Sequence, residues 1–90
     1  MDSEQDYVIL DVRTEGEYAE GHVPGATLLP LNDVASKAES VLTDKDQLIL
    51  VYCRSGKRSH DAAQKLAAMG YGNIVDFGGI MDWPGEVVTD

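Results

Sequence analysis

Ninety residues with a 43% hydrophobic share make one small globular domain, residues 1–90, with a single core, and no apolar run approaches the about 20 residues that span a bilayer. A net charge of −9 argues against nucleic acid or an anionic membrane surface as a partner. One cysteine, Cys53, permits no internal disulfide and no cysteine-built zinc site, and His22 and His60 lack metal-ligand spacing to it, so neither metal nor cofactor is expected.

In chain order, residues 1–6 are acidic, are expected to be frayed and disordered, and lack the basic and apolar regions of a secretory signal. That points to a cytoplasmic location unless a leader has been removed. Tyr7 to Val12 is nearly continuous apolar sequence and predicts a buried strand. Thr14 with Glu17 makes a capping box for a short helix over Glu15 to Glu20, ended by Gly21. A turn at residues 23–26 leads to a short strand, Thr27 to Leu29, closed by Pro30. Asn32 or Asp33 can cap a second helix through Val34, Ala35, Ala38, Val41 and Leu42. After the polar turn of residues 44–46, Gln47 to Tyr52 reads as a buried parallel strand. Ser59 to Met69 has helical apolar spacing and is stopped by Gly70. Ile74 to Phe77 predicts a further strand, followed by Gly78, Gly79 and a helical turn near Ile80 to Trp83; Val87 and Val88 suggest a terminal edge strand. Alternating strands and helices imply an α/β fold with a mainly parallel central sheet flanked by helices. Phe77 and Trp83 are expected in its core. No internal repeat, linker or low-complexity segment interrupts the pattern.

The chemistry is expected at the segment CRSGKRS, residues 53–59, between a strand and a helix. Backbone N–H groups at a helix N-terminus lack intrahelical partners and carry partial positive charge, which suits an anion. A thiol there, among Arg54, Lys57 and Arg58, is expected to have a depressed pKa and to react as thiolate. Three of the seven basic residues lie in this one loop of an acidic chain, a distribution that fits a small anionic substrate.

The arrangement resembles the active-site loop of the single-domain rhodanese, or thiosulfate sulfurtransferase-like, family, in which a cysteine opens a six-residue loop closed by an arginine. Cys53 to Arg58 has that length. Val8 to Arg13 (VILDVR), Glu17-Tyr18, Gly21 to Ala26 (GHVPGA), Pro30, Gly78-Gly79 and Trp83 follow the family's other motifs in order. The resemblance spans about Tyr7 to Trp83. It implies a rhodanese-like three-layer sandwich and a sulfurtransferase that moves sulfane sulfur from a small anionic donor, such as thiosulfate, to cyanide or a thiol through a Cys53 persulfide. An acceptor protein is a further possible partner. Family members usually carry a strand and helix before the DVR motif; the sheet is therefore expected to be smaller, or its edge covered by the C-terminal tail.

Within the site, Cys53 and Arg58 are the candidate catalytic residues, and Arg54, Ser55, Gly56, Lys57 and Ser59 the candidate substrate-binding ones. The loop's N–H groups, those of residues 54–58, are expected to face the transferred sulfur, with Gly56 supplying a turn that a side chain would strain. Arg58 closes the loop; Arg54 and Lys57 supply field at its mouth; Ser59 is also read as a first-turn or capping residue. Asp11, Arg13 and Glu17 are read as a structural ion-pair set, His22 as structural and His60 as exposed. Two other readings stand beside the first. A phosphatase or arsenate reductase of the same fold carries one more residue between cysteine and arginine than the four present here. A persulfide carrier or binding module would serve another protein.

Overall fold

The computed structural model describes residues 7–89, and the expected fraying of residues 1–6 lies outside them. The chain runs β1 (Tyr7–Asp11), α1 (Glu15–Glu20), β2 (Thr27–Leu28), a 3₁₀ turn (Leu31–Asp33), α2 (Val34–Val41), β3 (Leu48–Cys53), α3 (Lys57–Ala68), β4 (Ile74–Gly79) and a second 3₁₀ turn (Ile80–Asp82). Its four strands form one parallel sheet in the order β2-β1-β3-β4, the α/β architecture expected. Parallel pairing brings the C-terminal ends of all four strands to one edge of the sheet, and Cys53 is the last residue of β3 at that edge. Ligands of open α/β sheets bind beyond this edge.

Alternation along β1 and β3 divides the core. Leu10, Ile49, Val51 and Cys53 face Ala38, Leu42, Ala62, Leu66 and Tyr71 from α2, α3 and their connections. On the other face Ile9, Tyr52 and Phe77 meet Tyr18 of α1, the turn residues Val23 and Ala26, and Ile80 and Trp83. The second layer is thinner. It leaves a groove of about 420 Å³ walled by Ile9, Leu50, Phe77, Trp83 and Pro84; Phe77 and Trp83 pack against this second core cluster, as expected, and, being half-buried, also line the groove.

Local signals place most boundaries. Glu17 N–H donates to Thr14 Oγ1 at 3.2 Å and Thr14 N–H donates to Glu17 Oε1 at 3.0 Å, which starts α1 with the expected capping box. At α2 the expected Asn32 or Asp33 cap is absent: neither side chain caps the helix, because the 3₁₀ turn runs directly into it. Val87 and Val88 form no edge strand. Val88 instead makes an isolated antiparallel bridge to His22 in the turn after α1, so among the described residues the tail pairs with that turn rather than with a strand of the sheet. β4 outruns its expected end at Phe77 by two residues. Val51 pairs with Asp76 but Tyr52 with Gly78, making Phe77 an extra bulged residue and setting Gly79 opposite Cys53.

Candidate active site

Cys53 is wholly buried, and the segment after it turns back over its sulfur. Gly56 has φ +107°, a left-handed conformation that strains any residue with a Cβ, and its N–H donates to Cys53 Sγ at 2.9 Å. α3 begins at once, at Lys57. Its N-terminus has no side-chain cap in the usual position, and the sulfur takes that place, faced by the N–H of Ser59 in the first helical turn as well as by those of Gly56 and Ser55. Burial alone would push the Cys53 thiol up. The N–H groups of Ser59, Gly56 and Ser55, with the Ser59 hydroxyl, outweigh burial and hold it below its ordinary value. Of the expected donors 54–58, those of Ser55 and Gly56 face the sulfur, and Ser59 joins them because the helix starts two residues earlier than its apolar spacing indicates. Lys57 and Arg58 belong to its first turn.

The Arg58 guanidinium is held by Glu17. Its Nη1 donates to Glu17 Oε1 at 2.7 Å and its Nη2 to Oε2 at 2.9 Å, a two-pronged pair that joins the N-termini of α1 and α3 across 41 residues. Arg58 brings the Glu17 carboxyl down to about 2. Glu17 in turn raises the Arg58 pKa, against partial burial, with smaller contributions from the Cys53 and Asp11 charges. The expected Asp11, Arg13 and Glu17 set is therefore corrected: Glu17 leaves it for Arg58, since the capping box turns its carboxylate toward α3.

Asp11 and Arg13 remain together. Arg13 Nη2 lies 2.9 Å from Asp11 Oδ2, and Arg13 Nε reaches both carboxylate oxygens at 3.1 Å. Tyr52 donates its hydroxyl to Asp11 Oδ2 at 2.6 Å and accepts the Val23 N–H at 3.1 Å. Burial and Asp11 push the Tyr52 phenol up, so it stays protonated as a donor. This satisfied buried network braces the end of β1 beside Cys53.

Ser59 is wholly buried, and its hydroxyl donates to Asp76 Oδ1 at 2.7 Å with the carbonyl oxygens of Gly56 and Gly78 at 3.0 and 3.3 Å. It is tied to β4 rather than acting as a helix cap. Asp76 also accepts the Gly78 N–H at 2.9 Å. Gly79 packs against the loop so closely that a Cβ there would meet the Arg54 carbonyl oxygen and lie 2.8 Å from Ser55 Cα. Met81 N–H donates to the same Arg54 carbonyl at 3.3 Å.

The fold thus gathers Cys53, Ser55, Gly56, Arg58 and Ser59 around the sulfur, and leaves the side chains of Arg54, Ser55 and Lys57 exposed on the outer side of the loop. Neither Arg54 nor Lys57 has an ion-pair partner among the described residues. A cavity of about 120 Å³ lies at the same sheet edge, between residues 12–14, residues 30–32 and Arg58. His60 is exposed on α3, and His22 is buried in its turn, stacked on Tyr18 with ring centroids 3.7 Å apart. Sequence reasoning missed Glu17 and Asp76 as neighbours of the loop. An acidic residue inside an apolar strand just ahead of two glycines was a usable signal for Asp76; nothing local pointed Glu17 at Arg58.

Residues 1–86 match the rhodanese-like domain family. A sulfurtransferase from Allochromatium vinosum is 36% identical over 80 residues, 88% of this chain and 73% of that protein. The thiosulfate sulfurtransferase PspE of Escherichia coli is 36% identical over 73 residues, 81% of this chain and 70% of that protein. In three dimensions, a solved rhodanese with anions from E. coli superposes with a TM-score of 0.87 at 32% identity, covering 93% of this chain and 99% of that one. The family match, the named relatives and the shared parallel sheet with the lone cysteine at its edge agree: this chain belongs to the rhodanese-like family of sulfurtransferases.

Proposed function

We propose that the protein carries sulfane sulfur on Cys53, taking it from thiosulfate or a similar anionic donor and passing it to cyanide or a thiol. The observation that carries this reading is the buried sulfur at a strand end, ringed by N–H donors and lowered in pKa against burial. In the first half-reaction the Cys53 thiolate attacks the donor's outer sulfur. A new sulfur–sulfur bond forms, the donor's own breaks, and sulfite leaves with the electron pair. The terminal sulfur of the persulfide then carries the negative charge, which the N–H groups of residues 55, 56 and 59 stabilise. In the second half-reaction cyanide attacks that sulfur and departs as thiocyanate, returning the thiolate. Neither step moves a proton, in keeping with a site whose shifted thiol owes nothing to a general base.

Cys53 has no exposed surface, so attack requires residues 54–56, ahead of α3, to move outward. The exposed side chains of Arg54, Ser55 and Lys57 leave the outer side of the loop unpacked for that motion, and the two cations attract the donor. Arg58 closes the loop through Glu17. Four residues between Cys53 and Arg58 make a ring suited to one sulfur and too small for a phosphoryl group.

Mass spectrometry after thiosulfate treatment tests the reading. A gain of about one sulfur atom is expected on the protein, none on Cys53→Ser, and thiocyanate should form only with the former. Hydrolysis of an aryl phosphate by a protein that leaves thiosulfate untouched would overturn it in favour of phosphate chemistry.

A further inference from the structure

Three cations lie in the segment that follows Cys53, yet they differ in what surrounds them. Arg54 and Lys57 are exposed and without ion-pair partners among the described residues. Arg58, in the first turn of α3 and two residues past the Gly56 N–H that meets the sulfur at 2.9 Å, is matched by Glu17 through two hydrogen bonds of 2.7 and 2.9 Å. Glu17 is itself held in place: Thr14 donates its N–H to Oε1 at 3.0 Å and its hydroxyl to the same oxygen at 3.2 Å. This carboxylate is therefore a fixed feature of the site, with a side chain only 26% exposed. It sets a permanent negative charge beside the one loop cation that is ion-paired among the described residues.

We infer that Glu17 is a specificity-determining residue, which by neutralising Arg58 tunes the site toward sulfur donors of lower negative charge. The inference rests on the reading of Cys53 as the sulfur carrier. A donor dianion must approach a thiolate, and the repulsion falls on whatever positive charge the loop leaves free. Two exposed cations offer some, but solvent and salt screen them. The Arg58 charge, on a side chain 34% exposed, is the third, and Glu17 cancels it. A donor with one charge fewer suffers less from that cancellation, so the presence of Glu17 changes the preference between donors rather than the reaction. Neither partner reads this way from the sequence, because the pair joins residues 41 apart.

Thiosulfate and the methanethiosulfonate anion test this directly. Both present the same outer sulfur to a thiolate and release a sulfur oxyanion with the electron pair, but the second carries one charge fewer. The quantity to follow is the ratio of kcat/KM for thiosulfate to that for methanethiosulfonate. In Glu17→Gln, which keeps the length and an acceptor oxygen while removing the charge, the ratio should rise about threefold to tenfold at low ionic strength. Raising the salt concentration should compress the rise. Glu17→Asp, which restores the charge, should keep the ratio near that of the unaltered protein. A carboxylate that merely held the loop together would lower both kcat/KM values alike, and an unchanged ratio in Glu17→Gln would overturn the inference. Equal shifts in the Gln and Asp variants would also overturn it, because loss of the two-pronged pairing geometry, which both share, rather than loss of charge would then be acting. If the unaltered protein gains sulfur from neither donor, the reading of Cys53 fails instead; if it gains sulfur from both and the ratio stays fixed, only the role of Glu17 fails.

Discussion

Ser59→Ala separates two jobs done by one hydroxyl. The oxygen is fully buried, and its single proton is shared between Asp76, 2.7 Å away, and the Cys53 sulfur, whose pKa it helps to lower. A hydrogen bond to a charged group contributes about 1.5–3 kcal/mol. Asp76 is exposed and keeps the Gly78 N–H, so water replaces much of what it loses, and the lower end, about 1.5 kcal/mol, applies. For a chain of 90 residues, at about 2.1 cal/mol/K of unfolding entropy each, that is a fall of about 8 °C in Tm. The thiol should respond separately. Its N–H donors survive the substitution while the hydroxyl does not, so its pKa rises toward the ordinary value of 9.0 and the thiolate fraction at neutral pH falls. Because the folded value is depressed, Cys53 contributes stability above pH 9.0 that is lost as pH drops through the folded value; the variant should narrow that window. Calorimetry reads the first effect. The pH dependence of thiolate ultraviolet absorbance, and of the rate of persulfide formation, reads the second. A Tm loss with superposable thiolate titrations would refute the reasoning, since the hydroxyl would then serve Asp76 alone and the N–H groups would govern the sulfur unaided.

Three further outcomes follow from the same geometry. Gly79→Ala should cost about 1–3 kcal/mol and slow sulfur transfer, because its Cβ would press on the rigid backbone of Arg54 and Ser55 although the glycine's own φ of −123° suits alanine; urea midpoints and kinetics within error of the unaltered protein would show the loop yields freely. Tyr52→Phe should lose about 3 kcal/mol, since it strands the buried Val23 N–H and removes one donor from the fully buried Asp11, and a urea titration that moved by less than a third of this would contradict the network's role. Glu17, depressed to about 2 from an ordinary 4.5, contributes stability present above pH 4.5 and lost as pH falls toward 2, so Glu17→Gln should flatten that acid limb by about 1 kcal/mol after screening, and parallel urea-midpoint curves for the two proteins would exclude it.

By itself the sequence determined what short-range chemistry controls. The apolar run ending at Cys53, the glycine three residues on and the amphipathic stretch beyond specify strand, turn and helix around one thiol, and Thr14 with Glu17 specifies the start of α1. Only the tertiary structure decided the partners. The boundary of α3 moved two residues toward Cys53 because the sulfur, reached from the preceding strand, stands in for a helix cap, which no pattern within the helix could report. Likewise Ser59 turned from cap to cross-link when the bulge at Phe77 brought Asp76 and Gly78 alongside it, 17 and 19 residues on. The Val88 backbone pairs with His22 rather than with a sheet strand, exchanging hydrogen bonds of 2.8 and 2.9 Å with the turn after α1. Arg58 met Glu17 because parallel pairing of β1 and β3 brings the loops that follow them side by side. Local periodicity and capping depend on neighbours within a turn or two of chain, whereas charge and hydrogen-bond pairing depend on where the sheet register delivers distant side chains; the second is invisible until the strands are in place.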